Sequence, residues 1–433
     1  MSNGAIAILG FIVLFALMAV RIPIGIALGI VGIGGFGAVA GMDAALNLLA
    51  LSPIRTVTTY DFALIPMFIL MGAFAAATGM SAELFRAGNA WFGRQRGGLA
   101  LATISACAGF AAICGSSVAT SATMTRIALP EMRRHGYSAR VATGVIAAGG
   151  TLGILIPPSV VLAVYGFLTE QDIGKLFIAG IAPGVVAVVL LLATVKLIGV
   201  LRPELLPAGQ RVPWSERWAS LAGIWAVLLV FIAVIGGIYG GLVTATEAAA
   251  LGAVGVLAVG LLRQRLTGAD ILGSLVESLR TSVSIFVVLI GALLFGYFLT
   301  ITQVPQQLAS WFAGLPIGPY GVLAVILVFY LILGCLLDAM AMIILTIPII
   351  FPVVDQLGFD PIWFGVIVTM TVELGLITPP MGMNVFVINS VAPNVSLVEI
   401  FRGVMPFVLT LIVLVVILVL FPDLATFLPG LMA

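Results

Sequence analysis

Two adjacent prolines interrupt the stretch that decides the fold, which reads Gly149-Gly150-Thr151-Leu152-Gly153-Ile154-Leu155-Ile156-Pro157-Pro158-Ser159. A second stretch of the same plan reads Gly375-Leu376-Ile377-Thr378-Pro379-Pro380-Met381-Gly382-Met383-Asn384. The two proline pairs stand 222 residues apart, and at the same offset Pro130 matches Pro352 and Gly136 matches Gly358. An ordered series of matches at one offset indicates an internal repeat.

A short turn between two apolar segments precedes each Pro-Pro stretch. The first turn is polar and reads Cys114-Gly115-Ser116-Ser117-Val118-Ala119-Thr120-Ser121-Ala122-Thr123. The second reads Gly334-Cys335-Leu336-Leu337-Asp338. Each turn predicts a re-entrant helical hairpin, which enters the membrane and returns to the same side.

Consecutive prolines break an α-helix because they lack amide N–H groups and their rings clash with the preceding turn. The carbonyl groups of residues 153–156 and 375–378 are therefore predicted to lose their helical partners. Inside a membrane, protein, water or a cation must satisfy such carbonyls. We expect sodium in this role, since a hard cation prefers oxygen ligands. The alternative is a structural kink that Ser or Thr side chains cap.

The composition is that of a membrane protein. Of the 433 residues, 62% are hydrophobic and 8% are charged, against about 25% charged in soluble domains. The net charge of +1 provides no basic surface for nucleic acid. A chain of this length has room for about 12 to 16 membrane crossings. The expected fold class is an all-α polytopic membrane protein.

Apolar runs divide the chain, and most are long enough to cross a bilayer of about 30 Å. Two amphipathic segments, 81–96 and 267–280, are predicted to lie in the membrane interface instead. Most arginines, including those of the loop at 196–217, fall on one side, which predicts an outside amino terminus. The runs are 4–20, 22–41, 60–79, 98–113, 115–132, 140–165, 176–199, 218–238, 240–262, 282–302, 319–336, 338–354, 361–390 and 404–428.

The two halves of the repeat are predicted to be inverted relative to each other. Five full crossings are expected between Tyr137 and Phe359, together with one hairpin that returns to its own side. An odd number of crossings places the second half upside down in the membrane. Inverted repeats with broken helices near the midplane are typical of secondary transporters.

Polar residues within the repeats are candidates for contact with a solute. Asp338 lies in an apolar stretch and either lines a cavity or caps a helix, and the sequence leaves both open. Arg126 either extends to the cytoplasmic interface, which we favour, or meets an anionic solute. Glu247 follows Thr244 at the spacing of a capping box. Further candidate hydrogen-bond partners for a solute are Ser117, Thr120, Thr151, Asn384 and Asn389.

Other classes of function lack the residues they need. The three cysteines form no CxxC pair and the single histidine, His135, lies in a basic loop, so we expect no transition-metal site. The sequence contains no His-Glu-x-x-His motif, and we do not expect an enzyme. Neither lysine stands in a phosphate-binding loop, so direct ATP use is excluded. A solute channel and a proton-coupled transporter remain the alternatives.

At these motifs the sequence resembles the large membrane subunit of TRAP transporters, the DctM-type permeases. The resemblance covers nearly the whole chain. Its most specific stretches are residues 114–120, 129–132, 136–137, 150–159, 176–184, 246–250 and 378–384.

The resemblance implies an elevator mechanism driven by a sodium gradient. A transport domain formed by 97–185 and 319–403 would slide against scaffold helices at 1–96 and 186–318, with a C-terminal transmembrane helix at 404–433. The implied partners are a small four-helix membrane subunit and a periplasmic solute-binding protein. The implied solute is a small organic acid anion such as a C4-dicarboxylate, imported across the inner (cytoplasmic) membrane of a bacterium or archaeon.

The resemblance also implies sodium ligands, and it implies no cofactor other than these coupling ions. At the second hairpin, the family's motif assigns them to Gly334, Gly375, Thr378 and Met381. Repeat symmetry assigns the twin site to Gly115 or Ser116 with Gly153 and Ile156.

Overall fold

The computed structural model describes residues 3–209, 212–314 and 316–432, and no β-strand occurs in these ranges. Arg211, one cation of the predicted cytoplasmic loop at 196–217, lies outside the described residues. The helices are α1 (Asn3–Ala19), α2 (Ile24–Ala40), α3 (Met42–Thr58), α4 (Leu64–Ala77), α5 (Met80–Phe92), α6 (Gly98–Cys114), α7 (Ser117–Arg134), α8 (Ala139–Gly150), α9 (Leu152–Leu155), α10 (Val160–Leu168), α11 (Ile173–Leu201), α12 (Trp214–Tyr239), α13 (Ala245–Leu262), α14 (Gly268–Thr302), α15 (Val304–Ala313), α16 (Gly318–Gly334), α17 (Ala339–Gln356), α18 (Pro361–Gly375), α19 (Met383–Val391), α20 (Leu397–Leu420) and α21 (Asp423–Thr426).

Many of these helices have the length and composition of membrane spans. Within the described ranges, seven helical segments are long and apolar enough to cross a membrane. An eighth is the bent pair of Ala139–Leu155 and Val160–Leu168. Five further helices are apolar but shorter, including α1, α2 and α6. The predicted all-α polytopic fold class is confirmed.

Three segments differ from the sequence prediction. Helix α3 occupies the gap between the runs at 22–41 and 60–79, because Pro53 is accommodated inside a continuous helix. The predicted interfacial segment at 267–280 is the first part of α14, a single helix of 35 residues that continues through the run at 282–302. No glycine or proline interrupts α14 at that junction. Helix α15 lies in the gap between the predicted runs at 282–302 and 319–336.

At both predicted hairpins a short turn separates two helices, and a side chain caps the second helix of each. Helix α6 ends at Cys114, and the Ser116 hydroxyl accepts a hydrogen bond from the amide of Ala119 at 3.3 Å. At the second turn, Asp338 Oδ1 accepts hydrogen bonds from the amides of Met340 and Ala341, at 3.0 and 3.1 Å. These caps satisfy amides that helix starts leave without partners.

Both Pro-Pro stretches break their helices as predicted. Helix α9 ends at Leu155 and α10 begins at Val160, and the two parts of this span are bent by 41°. In the second half, α18 ends at Gly375 and α19 begins at Met383. The Pro-Pro peptide bond is cis in both stretches.

The predicted capping box at the start of α13 is confirmed. The Thr244 amide donates to Glu247 Oε2 at 2.8 Å, and the Glu247 amide donates to Thr244 Oγ1 at 3.2 Å. Glu247 therefore has the structural role that its spacing indicated.

Glycines bring α2 and α14 into backbone contact. A Cβ added to Gly25 would lie 2.6 Å from the carbonyl oxygen of Val287, and one added to Gly32 would lie 2.6 Å from the amide nitrogen of Phe295. Small residues at such contacts are typical of packed membrane helices. Helix α14 is thereby held against the amino-terminal helices.

A buried carboxylate holds the amphipathic helix α5 to the rest of the protein. Glu83 is 7% exposed. Its Oε2 accepts a hydrogen bond from Arg263 at 2.7 Å, and its Oε1 lies 3.6 Å from Arg265. Arg263 also donates to the carbonyl of Gly223 at 3.2 Å. One charge network thus joins α5, α12 and the end of α13.

We expect Glu83→Gln to destabilise the protein by about 2 kcal/mol, because the partly buried Arg263 loses its charged partner. A lower thermal midpoint in detergent would show this. The matched control is Glu216→Gln, at an exposed position in the first turn of α12. Equal midpoints for the two variants would contradict a stabilising role for the Glu83 network.

Candidate functional site

A cavity of about 610 Å³ lies where the two hairpin turns approach each other. The first turn contributes Ser116 and Ser117, and the second contributes Asp338 and the first residues of α17. Residues of α4, α10 and α14 complete the wall. The volume falls within the range of about 300–1,000 Å³ that is usual for small-molecule sites.

Asp338 both lines the cavity and caps α17, so the two interpretations of this residue hold together. The amides of α17 bond to Oδ1 alone. Oδ2 accepts no hydrogen bond from the described residues. The carboxylate is therefore held in place by one oxygen, and the other is available to the contents of the cavity.

Two further charged residues reach the cavity wall. Arg126 of α7 is the only cationic residue in the lining, among the described residues. Arg126 is exposed as well as part of the lining, so both contact with a solute and extension to the interface stay predictions. Glu277 of α14 also lines the cavity and was not singled out from the sequence. Its place follows from the continuity of α14, which carries the predicted interfacial segment into the wall.

Four of the six predicted solute residues do not line the cavity. Thr120 donates its hydroxyl hydrogen to the carbonyl of Ser116 at 2.8 Å, and Thr151 donates to the carbonyl of Ala148 at 2.7 Å. Asn384 is 0% exposed. The Asn389 side-chain amide nitrogen donates to the carbonyl of Val395 at 2.7 Å. The cavity therefore brings together Ser117 and Asp338, whereas a solute role for the other four stays a prediction.

At the second break, two of the predicted sodium residues are in direct contact. A Cβ added to Gly375 would lie 2.6 Å from the Cα of Gly334. Thr378 donates its amide to the carbonyl of Gly375 at 3.1 Å and its hydroxyl to the carbonyl of Leu374 at 2.6 Å. Met381, the fourth predicted residue, is half exposed. Hairpin and break therefore meet where the motif predicted a sodium site.

The first break meets its hairpin in the same way. A Cβ added to Gly153 would lie 2.6 Å from the carbonyl oxygen of Ser116. One added to Gly115, which has φ +62°, would lie 2.7 Å from the carbonyl oxygen of Pro158. Ile156, the remaining predicted residue, precedes the proline pair. The predicted twin site thus has the same pairing of a hairpin turn with a Pro-Pro break.

The two breaks differ in how many carbonyls remain open. Within the described chain, the carbonyls of residues 153–156 accept no hydrogen bond, as predicted. At the second break, the carbonyl of Gly375 accepts from Thr378 and that of Leu376 accepts from Asn384, both at 3.1 Å. The Leu376 carbonyl thus loses its helical partner, as predicted, and a protein amide satisfies it, whereas the Gly375 carbonyl keeps a partner within the same turn. The chain turns back at Gly382, which has φ +60°, and so brings the Asn384 amide to Leu376.

The sequence analysis missed Glu373, which lies two residues before Gly375 in α18. Glu373 is 0% exposed, and neither carboxylate oxygen has a hydrogen-bond partner among the described residues. A glutamate within an apolar run is a signal that could have identified it.

The fold and the cavity define a multi-pass helical membrane protein with an internal site of small-molecule size. The chain belongs to the DctM component family of the tripartite ATP-independent periplasmic transporters, whose family model matches residues 11–424. It is thus the large permease component of such a transporter, and its location is the inner membrane.

The relatives carry the names of different solutes. The chain is 38% identical over 402 residues to the C4-dicarboxylate TRAP transporter large permease protein DctM of Pseudomonas aeruginosa, covering 90% of this chain and 93% of the relative. It is 33% identical over 367 residues to the ectoine/5-hydroxyectoine large permease protein UehC of Ruegeria pomeroyi, covering 84% and 85%. It is 29% identical over 391 residues to the sialic acid large permease protein SiaM of Vibrio cholerae, covering 90% and 91%.

A solved structure has a similar fold. The YdaH transporter of Alcanivorax borkumensis superposes with a TM-score of 0.62 at 16% identity, covering 88% of this chain and 89% of that one. This similarity concerns the fold alone.

We expect Gly375→Ala to separate the second hairpin from its break, because the new methyl group would overlap the Gly334 backbone. The thermal midpoint in detergent should fall. The control is Gly296→Ala in α14, where no atom lies within 4 Å of the added Cβ, and where alanine should raise helix stability by up to about 1 kcal/mol. An unchanged midpoint for Gly375→Ala would show that the contact is not tight.

Proposed function

We propose that this permease imports a small organic acid anion by sodium-coupled secondary transport. The observation that carries the proposal is the meeting of two hairpin turns and two Pro-Pro breaks around one cavity. Arg126 supplies the positive charge that an anionic solute requires. The names of the relatives make a C4-dicarboxylate, a sialic acid and ectoine the solutes to test first.

Sodium coupling is supported by the oxygen atoms at the breaks. The carbonyls of residues 153–156 and of Ile377 and Thr378 accept no hydrogen bond from the described residues, and Gly153 and Gly375 in the same stretches contact the hairpin turns. Backbone and hydroxyl oxygens are suitable ligands for a hard monovalent cation, and broken helices hold such ions in other secondary transporters. An ion at either position would join a hairpin to its break and so favour one shape of the cavity.

The elevator mechanism is supported by how the cavity wall is divided. The hairpin turns and breaks belong to segments 97–185 and 319–403, whereas α4 and α14 belong to the proposed scaffold. The solute would therefore sit between the two units. Movement of the hairpins along α4 and α14 would carry it from one side of the membrane to the other, and the inverted repeat would make the two end states similar.

The tripartite family supports two partners for this chain. One is a small four-helix membrane subunit that enlarges the scaffold. The other is a periplasmic solute-binding protein that delivers the solute to the open cavity. Selectivity would then be shared between the cavity and the binding protein.

The deciding experiment is uptake of labelled succinate, sialic acid or ectoine into proteoliposomes that contain the permease, its small membrane partner and its binding protein. We expect uptake of one solute to require an inward sodium gradient and the binding protein. Uptake that does not depend on sodium but requires a proton gradient would establish proton coupling instead. Uptake without any gradient dependence would establish a channel.

Thr378→Val tests the sodium site at the second break. Loss of the hydroxyl ligand should raise the sodium concentration for half-maximal uptake by about tenfold. Thr371→Val is the matched control, because the Thr371 hydroxyl makes the same kind of bond, to the carbonyl of Ile367 at 2.9 Å. A sodium curve identical to that of the wild type would remove Thr378 from the ligand set.

Gly72→Cys tests the elevator. A Cβ added to Gly72 of α4 would lie 3.3 Å from Sγ of the native Cys114 at the first hairpin turn. We expect oxidation to link the two residues, to stop uptake, and to proceed at a rate that differs between sodium alone and sodium with solute. The control retains Gly72→Cys and adds Cys114→Ala. Linked protein that still transports would rule out sliding of the hairpin along α4.

A further inference from the structure

Most of the unpartnered buried polar atoms belong to three helices, α7, α18 and α19, near Ser117 of the cavity wall. Among the described residues, ten buried side-chain nitrogen or oxygen atoms have no hydrogen-bond partner, and seven of these belong to five residues. We name these five residues the buried oxygen cluster. They are Ser117, Ser121, Thr369, Glu373 and Asn384. Each is at most 1% exposed.

The cluster lies where the two repeat halves meet. Ser117 and Ser121 lie on α7, Thr369 and Glu373 on α18, and Asn384 on the first turn of α19. The Ser117 hydroxyl faces the Glu373 carboxylate. Helix α19 packs against α7 and α8, so Asn384 begins a helix that covers the same interface.

The cluster is also close to both predicted sodium sites without being part of either. Glu373 lies two residues before Gly375, and Ser117 follows Gly115 and Ser116 directly. A Cβ added to Gly153 would lie 2.9 Å from the Cα of Ser117. The carboxylate of Glu373 is thus the nearest side-chain negative charge in sequence to the second break.

A buried ionised carboxylate without a partner costs several kcal/mol. Glu373 forms no ion pair with any described residue, and the Arg126 guanidinium belongs to the cavity wall. The hydroxyl and amide groups around Glu373 carry no net charge. The protein therefore has a fixed anionic position and several oxygen atoms, but no cation of its own to balance them.

The donor chemistry is that of an alkali cation site. Carboxylate, amide and hydroxyl oxygens bind hard cations, and no group of three or more His, Cys, Asp or Glu side chains that could hold a transition metal occurs among the described residues. A single carboxylate matches a single positive charge.

We propose that the buried oxygen cluster binds one sodium ion through the carboxylate of Glu373, with Asn384, Ser117 and Ser121 as further oxygen ligands. This site is additional to the two sodium sites at the hairpin turns, and the choice of sodium rests on the proposed function. The ion joins α7 of the first half to α18 and α19 of the second. It therefore couples the two halves, which the hairpin sites by themselves do not.

The test compares thermal midpoints of the purified full-length permease in detergent, with sodium chloride replacing choline chloride at constant ionic strength. A ligand that binds the folded state raises the midpoint with its concentration. We expect Glu373→Gln to raise the midpoint in choline, because the unpaired charge is gone. We expect sodium to raise the thermal midpoint of this variant by less than it raises that of the wild type. The plots of midpoint against sodium concentration should therefore cross.

Two controls separate this site from charge effects and from the hairpin site. Glu399→Gln removes an exposed carboxylate from the first turn of α20, away from the cavity, and should leave the sodium dependence unchanged. In Thr378→Val, sodium should still raise the thermal midpoint by the amount that depends on Glu373. The double variant Thr378→Val with Glu373→Gln should lose both contributions to this rise. Loss of the whole rise in Thr378→Val alone would overturn the additional site while leaving the proposed sodium coupling intact.

A second variant keeps the proposal testable if Glu373→Gln does not fold. Ser121→Ala removes one hydroxyl ligand and should raise the sodium concentration at the midpoint of the stabilisation by about tenfold. A sodium curve for Ser121→Ala or Glu373→Gln that matches the wild type would overturn the proposal. A wild-type midpoint that changes with pH but not with sodium would assign Glu373 a bound proton instead and would also overturn it.

Discussion

The structure depends on one constraint, which is that polar backbone groups inside a bilayer must find partners within the protein. Two Pro-Pro stretches violate this constraint by opening carbonyls in the middle of apolar segments. Each break is placed against the turn between two helices, at contacts so close that only glycine fits at Gly153 and Gly375. The cavity, its oxygen-rich ends and the packing of the surrounding helices all follow from this arrangement.

The acidic residues show how surroundings decide the role of a charge. Glu83 is paired with arginines and joins an amphipathic helix to its neighbours. Asp338 divides its oxygens between a helix start and the cavity. Glu373 has no partner among the described residues and faces Ser117 across the boundary between the repeat halves. A buried carboxyl group without local compensation must be neutralised, and the proposed sodium ion would do this.

Much of the fold was predictable because its decisive features are local. Adjacent prolines end a helix wherever they occur, and the Thr244 to Glu247 spacing specifies a cap from four residues. The errors arose where local signals were weak. Pro53 was accommodated inside α3, and no glycine or proline separated the amphipathic start of α14 from its apolar continuation. The Leu376 carbonyl of the second break found a partner because the chain turned back at Gly382, which proline chemistry alone does not reveal.

The sequence by itself determined the membrane class, the two hairpins, the two breaks and the family, since composition, proline and glycine positions and motif spacing are properties of neighbouring residues. Only the tertiary structure decided which residues share the cavity. It brought Arg126 and Glu277 to one wall with Asp338, and it placed Thr120, Thr151 and Asn384 in the interior. It also revealed Glu373 as a buried carboxyl group without an ion partner among the described residues. These facts depend on which helices pack together, and contacts between residues more than 100 positions apart leave no local pattern in a single sequence.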